Sequence, residues 1–153
     1  MNRESEFVAR LTGDPALMTI LTGSVYAYTA IRRLGITLAS QPAAFDADGF
    51  LKPCAVVKER GPVVDPTIDD ISGQITARRQ MFEIWVYEDT DYSAIEAAIE
   101  RIYQLLQGHR FTSALPAAWT FTTAPLIDEG SLSGASVKRV DYLIVDLLKG
   151  VAA

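Results

Sequence analysis

The residues in this chain that could do polar chemistry are few and scattered. His109, the only histidine, stands in Gly-His-Arg-Phe. A catalytic base needs a nucleophile within reach and a partner to orient it, and no spacing in the sequence supplies either. The economical reading is a cation placed at a helix C-terminus, where the dipole favours it. The lone Cys54 lies in the apolar run Cys-Ala-Val-Val and reads as a small buried hydrophobe rather than a reactive thiol. One cysteine excludes an internal disulfide, and one cysteine with one histidine cannot complete a Cys/His zinc site. Glu88, Asp89 and Asp91 form an acidic cluster, but acids just before a helix suit its N-terminus electrostatically, which explains them without a metal. Glycine-rich dinucleotide and phosphate-binding motifs are absent. Arg78-Arg79 is too small a basic pair to grip nucleic acid, although it could meet an acidic neighbour in an assembly. We therefore expect no catalytic, cofactor or metal site.

The elements that would carry these residues fit one domain over residues 1–153. Hydrophobic residues make up 49% and charged ones 22%, ordinary values for a globular protein. Net charge is −5 and the pI about 4.8, so no basic surface for duplex binding is expected. No apolar run approaches the roughly 20 residues of a membrane span. The opening Met-Asn-Arg-Glu-Ser-Glu lacks the apolar core of a signal peptide, and synthesis in the cytoplasm is expected.

The strongest pattern runs from Gln80 to Gly108. Residues 80–88, Gln-Met-Phe-Glu-Ile-Trp-Val-Tyr-Glu, are rich in aromatic and β-branched side chains and predict a strand. Phe82, Ile84 and Val86 share one face; Met81, Glu83, Trp85 and Tyr87 share the other. Ile95, Ile99, Ile102, Tyr103 and Leu106 repeat with helical spacing, predicting a helix over about 92–107. Ser93 with Glu96 forms a possible capping box, Asp91 is the rival cap, and Gly108 suits the left-handed residue past the helix end.

Around this unit, a broken helix is expected over 4–11 and 16–21, with Asp14 and Pro15 as N-cap and first helical residue. Residues 25–28 suggest a short strand or an extended arm, 31–40 are ambiguous between helix and strand, and 46–49 signal a turn. Residues 51–59 read as a strand. The stretch 60–78, with Gly61, Pro62, Pro66 and Gly73, reads as a long loop joining two paired strands; such loops are functional or disordered. Residues 109–118 are turn-rich. Strands are expected over 119–126 and 137–148, forming a hairpin, the latter with Val140, Tyr142 and Ile144 on one face. A frayed tail follows from 149. The class is α+β: a mostly antiparallel sheet of four or slightly more strands, with the broken N-terminal helix and the longer helix packed on one face.

The order Asp-Pro-Ala-Leu, Gly-Ser-Val-Tyr, a long strand hairpin, then Arg-Arg-Gln-Met-Phe-Glu-Ile-Trp-Val-Tyr-Glu-Asp-Thr-Asp-Tyr and an Ala-rich helix closing on Leu-Leu-Gln-Gly-His-Arg-Phe resembles the tail-completion, or tail-terminator, proteins of long-tailed bacteriophages. The resemblance covers most of residues 11–111. It implies a small α+β domain that assembles as a homohexameric ring on the finished end of the tail tube, stops tube polymerisation, and joins the head's connector. It further implies no catalytic residues, and a DNA channel through the lumen with no sequence-specific contact. The partners would be further copies of the chain, the tail tube protein and the head-tail connector or head-closure protein, in the tail or neck of a virion.

A ring needs two different patches per subunit. Candidate interface residues are the loop acids Asp65, Asp69 and Asp70, the basic pair Arg78 and Arg79, and the outward-facing Met81, Trp85 and Tyr87, the last two of aromatic types enriched at interfaces. The bland alternative for Trp85 is burial beneath the N-terminal helix. Two rival functions stand beside this one. The first is a head-closure or connector-adaptor protein of the same neck. The second is a small cytoplasmic ligand-binding domain or enzyme, which needs a pocket with convergent polar groups.

Overall fold

The computed structural model describes residues 3–31, 35–60, 63–65, 75–89, 92–123, 126–127 and 135–149. The core of the fold is a pair of 14-residue strands, β4 (Ile75–Glu88) and β7 (Ser136–Lys149), paired antiparallel along their whole length. At about 3.4 Å per residue, such a ladder is roughly 45 Å long. On the free side of β4, β2 (Cys54–Glu59) and then β3 (Val63–Asp65) pair antiparallel with it. On the free side of β7 run β5 (Ala118–Thr122) and the short β6 (Leu126–Ile127). The short β1 (Val25–Ala27) adds to β2 in parallel. The order across the sheet is therefore β1-β2-β4-β7-β5, which puts β1 and β5 at opposite edges.

Three helices belong to one face. They are α1 (Arg3–Thr12), α2 (Pro15–Ile20) and α4 (Ser93–Leu106). Alternation decides what they cover. Phe82, Ile84 and Val86 of β4, with Val140, Tyr142 and Ile144 of β7, are buried beside Phe7, Leu11, Leu17, Ile95, Ile102 and Leu106. The two faces expected of the 80–88 strand are the faces observed. The other face carries a smaller cluster under the segment that leaves β1 through α3 (Tyr28–Ile31) and returns to β2: Ile36, Ala44, Leu51, Cys54, Val56, Tyr87 and Val137.

The broken N-terminal helix is present as expected. Asp14 accepts the Leu17 N–H at 2.7 Å, with Pro15 as the first helical residue. Gly108, at φ +75°, is in the left-handed region just past α4. The 46–49 turn is closed by the Asp46 carboxylate, which accepts from Asp48 and Phe50, with Gly49 at φ +83°.

Four expectations need correction. Residues 60–78 are not one loop: β3 lies inside them, and β4 begins at Ile75, so Arg78 and Arg79 stand within a strand paired on both sides. Of this stretch, 61–62 and 66–74 lie outside the described residues, as do the acids Asp69, Asp70 and Asp91. Second, the Ser93–Glu96 capping box does not form. The residue before α4 is Tyr92, whose side chain makes no capping bond. Glu96 instead pairs with Lys138 on β7, and the buried Glu88 reaches forward to accept the Ala94 N–H at 3.2 Å. A strand-end carboxylate thus does the work expected of a cap. Third, the strand expected over 51–59 starts at Cys54, although Leu51 makes an isolated bridge to Phe45. Fourth, the last strand begins at Ser136 and holds Lys149, which had been assigned to the tail.

Candidate interaction surface

The titratable residues singled out in the sequence do not converge. Cys54 is fully buried, and burial pushes its thiol up to about 12, which removes the thiolate. His109 lies edge-on to Phe111 at 4.7 Å between ring centres. Burial, and then the nearby Arg10 charge, hold its imidazole below the ordinary value, so the cation expected at this helix end is disfavoured. Arg10 takes that position, donating to the Leu105 carbonyl at 3.3 Å. Glu88 caps α4, and Asp89 accepts the Leu51 N–H at 3.2 Å. Among the described residues no group of three His, Cys, Asp or Glu is arranged to hold a metal ion.

The candidate interface residues separate. Arg78 points to the helix face, where it and Arg3 share the buried Asp146 carboxylate. That makes it an internal strut. Arg79 is exposed, and Asp65 is paired in register with Ala77. Met81, Trp85 and Tyr87 do share one face, but it is not an open one. Tyr87 is buried in the smaller cluster. Trp85 is half-buried on the face away from α1, so burial under that helix does not describe it. Its indole Nε1 donates to Glu83 at 2.9 Å, and the Arg139 guanidinium lies 5.4 Å from its ring centre.

The sheet edge at β5 holds what the sequence reading missed. Trp119 and Phe121 are each 48% exposed, and Tyr103 on the outer side of α4 is 46% exposed. A register shift between Trp119 and Phe121 leaves the two aromatics on opposite faces of one edge strand. Trp119 is fixed by donating from its indole to Thr122 at 2.8 Å. Phe121 carries the other side of Arg139, 5.5 Å from its ring centre. Between α4 and β5 lies an open groove of about 340 Å³, floored by Val140 and Tyr142 and flanked by Ile99, Tyr103 and Trp119, with Glu100 as its acid. Gln107 closes part of the strand edge by accepting the Trp119 N–H at 2.9 Å. This surface has the mixture of aromatic anchors and sparse polar groups found where proteins meet. A short strand carrying two large aromatics separated by threonine was its signal in the sequence, but residue type alone assigns such aromatics to the core.

No protein-family model matches the chain, and no curated protein matches it by sequence. The fold has a solved counterpart. A chain of the structure described as the virion of a native gene transfer agent (GTA) particle superposes with a TM-score of 0.59 at 14% identity, over 97% of this chain and 95% of that one. At that identity the likeness is one of fold.

Proposed function

We propose that this protein is a structural component of a phage-type virion, and more narrowly a tail terminator. It would cap the end of the tail tube as a ring, stop tube polymerisation and join the tail to the head connector. One observation carries the reading: the fold matches a virion-particle chain along nearly its whole length in both directions. The order of sequence elements that resembles tail-completion proteins supports it independently. The exposed aromatics at the β5 edge supply a surface suited to assembly, and the net charge of −5 suits a lumen through which DNA slides without sticking, because like charges repel phosphate. In this reading the chain performs no catalysis and needs no cofactor.

The test is a tube-capping assay. Purified tail tubes incubated with the protein should stop elongating and carry a ring at one end by negative-stain microscopy. Tubes that elongate unchanged, with the protein bound instead to isolated connectors, would move the assignment to a head-closure or connector-adaptor protein. Protein that binds neither would leave only the fold. A companion deletion tests the stretch between β3 and β4. Because β3 is part of the sheet, the deletion is confined to residues 66–74; folded protein that no longer joins tails is the expected result, and normal phage yield overturns the role of that stretch.

A further inference from the structure

We infer that the groove between α4 and β5 receives the Tyr28–Lys58 corner of a second copy of this chain, a head-to-tail contact; the inference rests on the ring reading above and assigns its subunit interface. Among the described residues six large hydrophobic side chains are exposed, and they fall into two sets. Tyr103, Trp119 and Phe121 lie at the β5 edge. Tyr28, Leu38 and Phe50 belong to the segment between β1 and β2. These edges are separated by the five strands β1-β2-β4-β7-β5, about 19 Å at 4.8 Å per strand. One chain therefore cannot bring the two sets together.

The two surfaces are complementary in charge as well as in polarity. The groove is mostly apolar, and the exposed Glu100 carboxylate is the one charged group in its lining. At the other edge, the Lys58 ammonium lies 4.8 Å from the centre of the Tyr28 ring. That corner presents an aromatic ring with a cation beside it. Neither Glu100 nor Lys58 enters an ion pair among the described residues. Seating Tyr28 against Tyr103 and Trp119 brings Lys58 toward Glu100, filling the groove with a ring and pairing its one acid. Because the patches lie on opposite edges, each docking event leaves one of each kind unused. The contact is heterologous, so it propagates until it closes.

The experiment is cross-linking of the full chain with a short bismaleimide, using Glu100→Cys, Lys58→Cys and the double variant. Both positions lie at the surface, so the unfolding midpoint should match the parent, whose buried Cys54 serves as the unreactive control. The double variant should give a ladder of dimer, trimer and higher species, and each single variant should stay monomeric. Dimers from either single variant alone would mean a symmetric contact and overturn the proposal; so would a double variant that stays monomeric. Charge reversal supplies a second measurement. Glu100→Lys or Lys58→Glu should each weaken self-association at least about tenfold, and their combination should restore it. Failure of both experiments with tube capping intact overturns this interface and leaves the tail-terminator reading; a ladder from protein that ignores tubes does the reverse.

Discussion

Glu83 and Asp141 stand directly opposite each other on the two central strands, both almost fully buried. Like charges in that position repel across the sheet. Two arginines make the pair tenable. Arg139 lies 2.9 Å from Asp141 and 3.7 Å from Glu83, while Arg60 pairs with Glu83 from the β2–β3 link. Burial raises the Asp141 carboxyl above its ordinary value, Arg139 opposes that shift, and Glu83 adds to it. Truncating one member of a buried network leaves a charge without its partner. Arg139→Ala should therefore cost about 3 kcal/mol of unfolding free energy, measured by urea denaturation. The triple variant carrying Glu83→Gln and Asp141→Asn as well should regain part of that loss. Equal stability of the Arg139→Ala protein and the parent would show that the acids are solvated or protonated without help.

The N-terminal helix is held by a stack of three rings. Phe7 lies between Phe82 and Phe111, at 4.4 and 4.5 Å between ring centres, with interplanar angles of 21° and 19°. Phe7 is fully buried, so its removal loses transfer energy and leaves a cavity on both sides. Phe7→Ala should destabilise the fold by about 3–5 kcal/mol, whereas Phe7→Leu should cost less than half of that. Hydrogen exchange should show α1 released first in both, because Leu11 and the partly buried Val8 are then its remaining apolar ties and the others are polar. Glu4 accepts from Thr29 and Glu59, and Arg3 pairs with Asp146.

Much of this architecture was legible where side-chain periodicity and burial coincide. Phe82, Ile84 and Val86 alternate in sequence because one face of their strand is buried, and Ile95, Ile102 and Leu106 repeat helically for the same reason. Where the backbone ladder alone holds an element, the sequence was silent. Residues 75–80 read Ile-Thr-Ala-Arg-Arg-Gln, without the alternation of a half-buried strand, yet they are strand because β7 pairs with all of them and β3 with residues 77–79. The cap of α4 was misassigned because its donor and acceptor lie on different elements: Glu88 comes from a strand end, and Glu96 is drawn away by Lys138. The exposed aromatic edge was not legible for a related reason. Tyr87 and Trp119 are both aromatics on strands, and only the sheet order reveals that one is buried in the smaller cluster and the other lies on an exposed edge.

Cys54 reports on the integrity of the smaller core. Its thiol is buried among Ile36, Leu51, Val56 and Tyr87, and burial keeps it protonated far above neutral pH. A disulfide reagent at pH 8 should leave the native protein unmodified and label it only as it unfolds, so the labelling rate should rise with urea. Cys54→Ala should be tolerated. Cys54→Ser buries a hydroxyl where the sulfur sat and should cost about 1–3 kcal/mol. Rapid stoichiometric labelling of the folded protein would contradict this burial.

His109 gives the fold a defined response to mild acid. Burial, with Arg10 nearby, favours the neutral imidazole in the native state. The unfolded chain takes up a proton near the ordinary histidine value of about 6.5, before the native state does. As pH falls through that value toward the lower native one, protons bind the unfolded chain preferentially, and stability declines. Above the unfolded value the contribution is fully present. As the chain has a single histidine, its imidazole resonances need no assignment, and a titration followed by NMR should place the native midpoint below 6.5. Arg10→Gln removes the second of the two causes and should move the midpoint upward while leaving it below the ordinary value. His109→Gln should flatten the change in stability between about pH 7 and pH 5. A native midpoint above the ordinary value would mean that the α4 dipole outweighs burial and Arg10, restoring the cation that the helix end alone would favour.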